Sequence, residues 1–369
     1  DFGGTFRGCT FEGNVAEDDA GGVLCYLGGL VEGCVIRENT SRDDGGGAQC
    51  GDRDVEGGWL ERCRIVGNIS EDKGGGVYMW TGGGLSNCVI FANTADDDGG
   101  GVYSRMGGPL ESCTVASNVA VSAGGGMYAR DVGTARNTII YHNRAPSGDN
   151  YRGVIVDGCT YCCTDPGLAG QGNISTDPLF VDLDSGDLRL NGGSGCIDSG
   201  AADGAPPSDS DGIPRPLDGD ADGDAQVDIG AHEFVHADAD TDLDRMPDAW
   251  ELGYGLSPVS AEGDDGAEGD PDGDRAPNLD EYEADTHPGD ADSVLRITGI
   301  VLNGARVEIG WQGGIEAGQY VEKRHGDPGG GGPWKTVFTN PPPTALTTNA
   351  FHGVSTNRAT FYRIRAGRP

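Results

Sequence analysis

Two acidic stretches of the chain place oxygen-bearing side chains at one repeated spacing. The first carries them at positions 1, 3, 5, 9 and 12 of a twelve-residue loop: Asp240, Asp242, Asp244, Asp248 and Glu251. The second carries them at the same positions: Asp270, Asp272, Asp274, Asn278 and Glu281. Calcium takes six to eight oxygen ligands, with a bidentate glutamate at position 12 and a backbone carbonyl at position 7. The spacing therefore predicts two calcium sites, in which Met246 and Ala276 supply the carbonyls.

Position 6 of each loop departs from the EF-hand pattern, because Arg245 and Arg275 stand where a glycine is usual. A positive φ at an arginine costs on the order of 1 kcal/mol, which puts the turn geometry or the affinity in question. The sequences that follow Pro247 and Pro277 are Asp-Ala-Trp-Glu and Asn-Leu-Asp-Glu-Tyr. With them the region resembles the thrombospondin type-3-like calcium repeats of bacterial exoproteins. The alternative interpretation is an acidic linker that binds no metal.

Further acidic groups are weaker candidates. One run alternates carboxylates but lacks a closing glutamate: Asp218, Asp220, Asp222, Asp224 and Asp228. Acidic pairs also precede the glycine tracts, as at residues 18–19, 43–44, 71–72 and 97–98. Stacked carboxylates repel by only about 1 kcal/mol per pair in water, so we expect these side chains to splay into solvent rather than to share cations. Lys73 lies in the same column and would relieve one of these contacts.

The elements before these loops repeat a unit of 25 residues. A glycine tract followed by apolar residues recurs, as at residues 74–79 and 99–104. A small residue recurs in another phase: Cys9, Cys34, Cys63, Cys88, Cys113 and Thr138. Five residues after each of these comes an asparagine: Asn14, Asn39, Asn68, Asn93, Asn118 and Asn143. The asparagine spacings are 25, 29, 25, 25 and 25, and the excess of four falls around residues 52–54.

This period predicts a parallel β-helix with about three short strands per coil. A unit of 25 residues is too short for a helix-pair repeat, and the glycine tracts would break a helix. Coils would stack at the strand spacing of about 4.8 Å, so equivalent residues form ladders along the axis. The asparagines would then pass amide hydrogen bonds from coil to coil. The cysteine column and the column of Ile36, Ile65, Ile90, Val115 and Ile140 would form the core.

The shared motifs, Gly-Gly-Gly-Val-Tyr and Cys-x-Ile-x-x-Asn, resemble those of right-handed parallel β-helix repeat proteins of bacterial surfaces. The resemblance covers roughly residues 1–235. Residues 177–182, 188–190, 194–200 and 227–231 are similar to the family's end segment, often called a choice-of-anchor module. In the family this segment finishes the solenoid and precedes a sorting or attachment region. The fold serves lyases, adhesins and inert fibres alike, so the resemblance says little about chemistry.

The 11 cysteines are interpreted mainly as small core residues, and their odd number leaves at least one thiol unpaired. Vertical neighbours in a ladder have parallel Cβ vectors, which is poor disulfide geometry. Better candidates for bridges are Cys25 with Cys50, and Cys162 or Cys163 with Cys196. The last resembles a pairing expected in the family's end segment.

Residues 293–369 change character, because aspartates become rare and strand patterns recur at 294–298, 306–311, 319–323, 334–338 and 360–365. This pattern predicts a small β-sandwich of fibronectin or immunoglobulin type. The expected fold is therefore all-β. A right-handed parallel β-helix with its end segment occupies residues 1–236, a calcium-binding loop connector 237–292, and the sandwich 293–369.

The overall charge limits the kinds of partner that the protein is expected to bind. The chain has 60 acidic and 25 basic residues, a net charge of −35, which repels nucleic acids and anionic membranes and attracts divalent cations. No apolar run approaches the ~18 residues of a membrane span. We expect an extracellular or cell-surface protein that binds calcium and carries no transmembrane segment.

The expected function is structural or adhesive. No catalytic motif stands out in the coils, so we expect no enzyme. Two alternatives stay open. One is a β-helix that binds or cleaves extracellular polysaccharide in the manner of a lyase. The other is a fibre subunit, because the sequence starts inside a coil and an uncovered coil edge could join another copy head to tail.

Overall fold

The chain divides into two units, Asp1–Ala239 and Asp240–Pro369. The computed structural model describes residues 3–131, 133–153, 158–325, 333–345, 349–354 and 360–368. Short strands separated by turns dominate the first unit. In chain order the strands of its coils are β1 (Thr5–Arg7), β2 (Thr10–Glu12), β3 (Val15–Ala16), β4 (Val23–Cys25), β5 (Leu30–Glu32), β6 (Val35–Arg37), β7 (Thr40–Ser41), β8 (Ala48–Cys50), β9 (Gly57–Glu61), β10 (Arg64–Val66), β11 (Ile69–Ser70), β12 (Val77–Ser86), β13 (Val89–Phe91), β14 (Thr94–Ala95), β15 (Val102–Gly107), β16 (Leu110–Glu111), β17 (Thr114–Ala116), β18 (Val119–Ala120), β19 (Met127–Ala129), β20 (Ala135–Arg136), β21 (Ile139–Tyr141), β22 (Tyr151–Gly153), β23 (Cys159–Thr160) and β24 (Cys163–Thr164).

These strands form three parallel sheets. The first follows β1-β5-β9-β12-β15-β19-β22, with β4, β8, β16, β20 and β23 beside this path. The second follows β2-β6-β10-β13-β17-β21-β24, and the third β3-β7-β11-β14-β18. Residues one repeat apart are direct partners, as Ile65 with Ile90 and Ile90 with Val115. The predicted parallel β-helix is thus confirmed, with about six coils.

The asparagine column lies inside the coils as a continuous hydrogen-bonded ladder. Asn68 Nδ2 donates to Asn93 Oδ1 at 2.9 Å, and Asn93 Nδ2 donates to Asn118 Oδ1 at 2.9 Å. Each amide also donates to a backbone carbonyl of the preceding coil, as Asn93 Nδ2 does to Ile65 O at 2.9 Å. The same side-chain link joins Asn14 to Asn39, Asn39 to Asn68 and Asn118 to Asn143. Asn150, only seven residues further, accepts from Asn143 Nδ2 at 3.2 Å and ends the ladder.

The glycine tracts serve two different needs. The first glycine of a tract turns the chain with a positive φ, as Gly74 does at 70°. The second glycine of a tract leaves no room for a side chain, because a Cβ on Gly75 would overlap the carbonyl of Thr94 in the next coil. The four-residue excess of the second coil forms a small hairpin in which Asp52 and Val55 exchange backbone hydrogen bonds of 2.9 and 3.2 Å.

The end segment folds back along the second sheet. Its hairpin, β25 (Phe180–Asp182) and β26 (Asp187–Leu190), is antiparallel. Leu188 and Ala231 pack against Val89 and Ala116 of the second sheet. Ala231 N–H also donates to Thr114 Oγ1 at 2.9 Å. The segment therefore covers one side of the solenoid, whereas the resemblance implied that it finishes the coils.

A buried ion pair holds this end segment together. Arg215 Nε lies 3.1 Å from Glu233 Oε2, and both side chains are 1% exposed. Glu233 also accepts the N–H groups of Leu217 and Asp228. Asp228, which belongs to one of the motifs of the resemblance, is thus tied to a buried ion pair formed by residues outside those motifs.

All eleven cysteines are free thiols, so neither bridge weighed for Cys25–Cys50 or for Cys196 is formed. The column cysteines are core residues, as Cys63, Cys88 and Cys113 show with no exposed surface. Cys163 and Cys196 lie in one buried cluster, where the neighbouring Cys196 thiol, followed by burial, raises the pKa of Cys163.

The second unit begins with two short helices, α1 (Asp248–Tyr254) and α2 (Asn278–Ala284). Two antiparallel sheets follow, β27-β28-β31 and β30-β29-β32. Their strands are β27 (Arg296–Asn303), β28 (Arg306–Gln312), β29 (Gly318–His325), β30 (Lys335–Asn340), β31 (Asn349–Val354) and β32 (Thr360–Gly367). Trp311, Ile309 and Val321 from the two sheets share one core, which makes the predicted sandwich. Among the described residues, no helix combines the length and apolar character that crossing a membrane requires.

Candidate metal centres

Backbone N–H groups wrap the first acidic loop around its carboxylates. Asp240 Oδ1 accepts the N–H of Asp244 at 3.0 Å, and Asp240 Oδ2 accepts that of Arg245 at 2.8 Å. Asp244 Oδ1 in turn accepts the N–H of Met246 at 2.9 Å. One oxygen from each of Asp240, Asp242 and Asp244 lies within 4.8 Å of the others. The loop thus brings three carboxylates together, although each alone would repel the next.

The second loop repeats this arrangement. Asp270 accepts the N–H groups of Asp274 and Arg275 at 3.1 and 3.0 Å. Asp274 Oδ1 accepts the N–H of Ala276 at 2.7 Å. Asp270, Asp272 and Asp274 form the same cluster within 4.8 Å. Two stretches thirty residues apart in sequence therefore share the same backbone hydrogen bonds around their first three aspartates.

The arginines at position 6 adopt the conformation that a glycine usually provides. Their φ angles are 81° at Arg245 and 79° at Arg275. A charge-assisted hydrogen bond to the position 1 aspartate holds each N–H and offsets strain of about 1 kcal/mol. The Arg245 side chain is 69% exposed and pairs with Glu283 at 3.4 Å, so its charge points away from the loop centre.

A buried glutamate closes each loop from the first turn of the following helix. Glu251 and Glu281 have no exposed surface. None of their four carboxylate oxygens is hydrogen-bonded to a described residue. The Thr286 hydroxyl lies near Glu281 and favours its charged form, but not in hydrogen-bonding geometry. A buried carboxylate without a partner is costly, so each of these groups requires a proton or a cation.

The proton affinities of these groups follow from the same crowding. Burial, followed by the charges of Asp242 and Asp244, raises the pKa of Glu251 to about 9. Burial, followed by the charges of Asp272 and Asp274, raises the pKa of Glu281 to about 8. A divalent cation among the carboxylates would reverse this, because it favours their charged forms.

The residues at positions 7 and 9 support the loops in different ways. Both carboxylate oxygens of Asp248 accept hydrogen bonds from Thr241, one from its N–H at 2.8 Å and the other from its hydroxyl at 2.6 Å. Asn278 Nδ2 donates to the carbonyl of Gly266 at 3.0 Å, while its Oδ1 is buried without a partner. The carbonyls of Met246 and Ala276 accept no hydrogen bond from a described residue. The structure therefore places Asp248 as an anchor and leaves the other three oxygens free to bind an ion.

Aromatic side chains connect the two loops. The rings of Trp250 in α1 and Tyr282 in α2 lie 5.3 Å apart, and those of Tyr254 and His287 lie 4.7 Å apart. Because each helix carries the closing glutamate of its own loop, these contacts join the two candidate centres into one body.

The weaker acidic run in the first unit forms a third loop, whose first aspartate accepts backbone N–H groups as in the other two loops. Asp218 accepts the N–H groups of Asp222 and Gly223 at 3.1 and 2.9 Å. Asp198, twenty residues upstream, joins Asp218 and Asp220 in one cluster. Asp198 raised no signal in the sequence, because it lies outside the run of alternating acids. Burial raises its pKa to about 6.

The acidic pairs of the coils do not all splay as expected. Asp43, Asp44 and Asp72 keep one oxygen each within 4.8 Å of the others. Lys73 compensates them, since its Nζ lies 2.5 Å from Asp72 and 3.4 Å from Asp97. Burial and the charge of Asp72 raise the pKa of Asp44 to about 7. A lysine and a proton thus relieve this column.

Comparison with protein-family models, curated proteins and solved structures finds no significant match to the chain. The resemblances to bacterial surface proteins and to thrombospondin-type repeats therefore stay predictions.

Proposed function

We propose that the second unit binds two calcium ions, one in each acidic loop, and that the chain is an extracellular structural or adhesive protein stiffened by them. The observation that carries this proposal is the pair of fully buried glutamates whose oxygens have no hydrogen-bond partner, Glu251 and Glu281. Each faces three clustered aspartates.

The ligand set favours calcium over magnesium. Each loop offers three aspartates, a bidentate glutamate and a free backbone carbonyl, which together exceed the one or two carboxylates that magnesium uses in proteins. Magnesium also retains several waters in a strict octahedral shell. We expect dissociation constants of roughly 10⁻⁴ to 10⁻³ M, the range of extracellular calcium modules.

Isothermal titration of the chelator-treated full chain with calcium tests the proposal. The double variant Glu251→Gln with Glu281→Gln should bind two fewer ions than the native chain. Glu262→Gln, which alters an exposed acid of the same unit, should leave the titration unchanged. Equal stoichiometry in the native chain and the double variant would refute the proposal.

Stiffening is the mechanical part of the proposal. Without a cation, repulsion among the carboxylates favours open loops. Limited proteolysis should therefore cut residues 240–292 faster in chelator than in calcium, and equal digestion would count against stiffening. Catalysis is not part of the proposal. Electron microscopy in calcium tests whether copies join head to tail, and monodisperse monomers would exclude a fibre.

A further inference from the structure

Two cysteines lie on either side of one corner of the last coil, between β23 and β24. The inward column before this corner contains, in successive coils, Leu60, Leu85, Leu110, Ala135 and Cys159. Cys162 occupies the inward column after the corner, because Cys163, the next residue, pairs with Ile139 of the preceding coil. In this series only the last coil has a cysteine in both columns.

The contacts of this corner bring the two cysteines together. Both side chains belong to the same core cluster, and Cys162 Sγ lies 3.4 Å from the carbonyl oxygen of Thr160, the residue after Cys159. The Asn173 side chain holds the backbone on both sides of the corner. Its Oδ1 accepts the Cys162 N–H at 2.8 Å, and its Nδ2 donates to the Cys159 carbonyl at 3.0 Å. One amide therefore fixes the spacing of the two cysteines.

The two thiols differ in their affinity for a proton. The neighbouring Cys162 thiol lowers the pKa of Cys159, against the effect of burial. The Cys159 thiol, followed by burial, raises the pKa of Cys162. In a Cys-x-x-Cys pair of this kind one sulfur is the better thiolate and attacks first, and the other completes the exchange.

We propose that Cys159 and Cys162 form an intrachain disulfide when a small-molecule disulfide accepts their electrons. Both are free thiols in the structure. The Cys159 thiolate attacks one sulfur of the oxidant and releases the other half as a thiolate. Cys162 then attacks the mixed disulfide at Cys159 Sγ, and its proton passes to the departing second half. Two protein thiols are oxidised, and one oxidant disulfide is reduced to two thiols.

The other cysteines are arranged less favourably for a bridge. Cys163 follows Cys162 directly but belongs with Cys196 to a different core cluster, because successive side chains of a strand point to opposite faces. Cys63 and Cys88 lie one above the other in neighbouring coils, where parallel Cβ vectors give poor disulfide geometry. The corner pair differs, because its two side chains enter the core from two adjoining strands.

The bridge would fasten a terminal strand of the solenoid. Among the described strands, β23 pairs only with β20, so one of its edges lacks a strand partner. A covalent link across the corner joins β23 to the start of β24, which pairs with β21 in the second sheet. It should therefore oppose local opening of the last coil. This inference does not depend on the calcium sites, which lie in the second unit.

Equilibration of the folded full chain with reduced and oxidised glutathione tests the inference. When the composition no longer changes, free thiols are alkylated in denaturant, and tandem mass spectrometry of a tryptic digest assigns the bridges. The peptide that contains Cys159, Cys162 and Cys163 should lose two hydrogen masses and be alkylated only on Cys163. Cys63 and Cys88 should both be alkylated. Any other pairing of Cys159 or Cys162, a glutathione adduct remaining on either, or alkylation of both would overturn the inference.

Two variants and hydrogen exchange give a second readout. Cys163→Ala, the matched control, should form the bridge as the native chain does, whereas Cys159→Ala should not. In the native chain, oxidation should slow exchange of the Tyr161 and Cys163 amides on the order of tenfold, as expected for closing a four-residue loop. Cys159→Ala should exchange equally in both states. Equal exchange in the oxidised and reduced native chain, or the same slowing in Cys159→Ala, would contradict the fastening of the last coil.

Discussion

Replacing Glu251 with glutamine removes the charge at position 12 of the first loop and keeps the shape of the side chain. In chelator, Glu251 binds its proton far more tightly in the folded chain, with a pKa of about 9 against an ordinary value of 4.5. The folded state therefore holds more protons than the unfolded state between these values, and its stability falls as the pH rises through this window. At about pH 7.5 the accumulated cost reaches an upper limit of about 4 kcal/mol, at roughly 1.4 kcal/mol per pH unit.

Glutamine does not titrate, so the variant should escape this cost. In chelator at about pH 7.5 we expect Glu251→Gln to be more stable than the native chain, and the advantage should shrink toward pH 5. Calcium should stabilise the native chain more than the variant, because a filled site adds about 2.7 kcal/mol to the free energy of unfolding at a free concentration 100 times its dissociation constant. The native chain gains this at both loops, whereas the variant gains it only at the second.

Hydrogen exchange of backbone amides in residues 240–292 measures these differences, since it reports the free energy of local opening. Glu262→Gln serves as the control and should follow the native chain at every pH. A variant less stable than the native chain in chelator at about pH 7.5 would show that Glu251 is not a buried, unpaired acid. An unchanged gain from calcium would show that it is not a ligand.

Three predictions concern the first unit. Asn93→Ala should lower the free energy of unfolding by about 3–5 kcal/mol in urea titrations, because it orphans buried amide partners above and below; a loss under 1 kcal/mol would contradict the ladder's role. Gly75→Ala should lower the melting temperature, because its Cβ would overlap Thr94, and an unchanged melting curve would count against that contact. Arg215→Met should cost about 3–5 kcal/mol, and adding Glu233→Gln, which removes the charge and keeps an oxygen acceptor for the N–H groups of Leu217 and Asp228, should recover part of it; no recovery would argue against a paired charge.

The period predicted the solenoid well because the physics of stacking is local. Each coil must contribute the same number of residues for its backbone to pair with the next, so Asn68, Asn93 and Asn118 could be placed in one column without coordinates. Asn150 could not be placed, since it ends the ladder at a spacing of seven residues where the period fails. The placement of the end segment against the solenoid could not be predicted either, because only tertiary packing brings the Ala231 N–H to the Thr114 hydroxyl.

The candidate centres show the same division. All candidate ligands of each acidic loop lie within twelve residues, so their spacing alone was enough to propose them, including the carbonyls of Met246 and Ala276. The sequence could not decide whether Arg245 and Arg275 would tolerate the turn; the position 1 aspartates hold their N–H groups there. The hydrogen bonds from Thr241 to both carboxylate oxygens of Asp248 could not be predicted from the spacing, and the role of Asp248 as a ligand stays a prediction.

Acidic side chains have different surroundings in the two units. In the coils, acids form ion pairs with basic side chains of neighbouring coils, as Glu12 does with Arg37 and Asp97 does with Lys73. Such exposed ion pairs contribute little to the stability of the fold and keep the surface hydrated. In the second unit the exposed Arg245 guanidinium lies 3.4 Å from Glu283. Burial, followed by the charges of Asp242, Asp244, Asp248 and Asp240, raises the pKa of Glu251, an arrangement that folding would not favour unless a cation or a proton completed it.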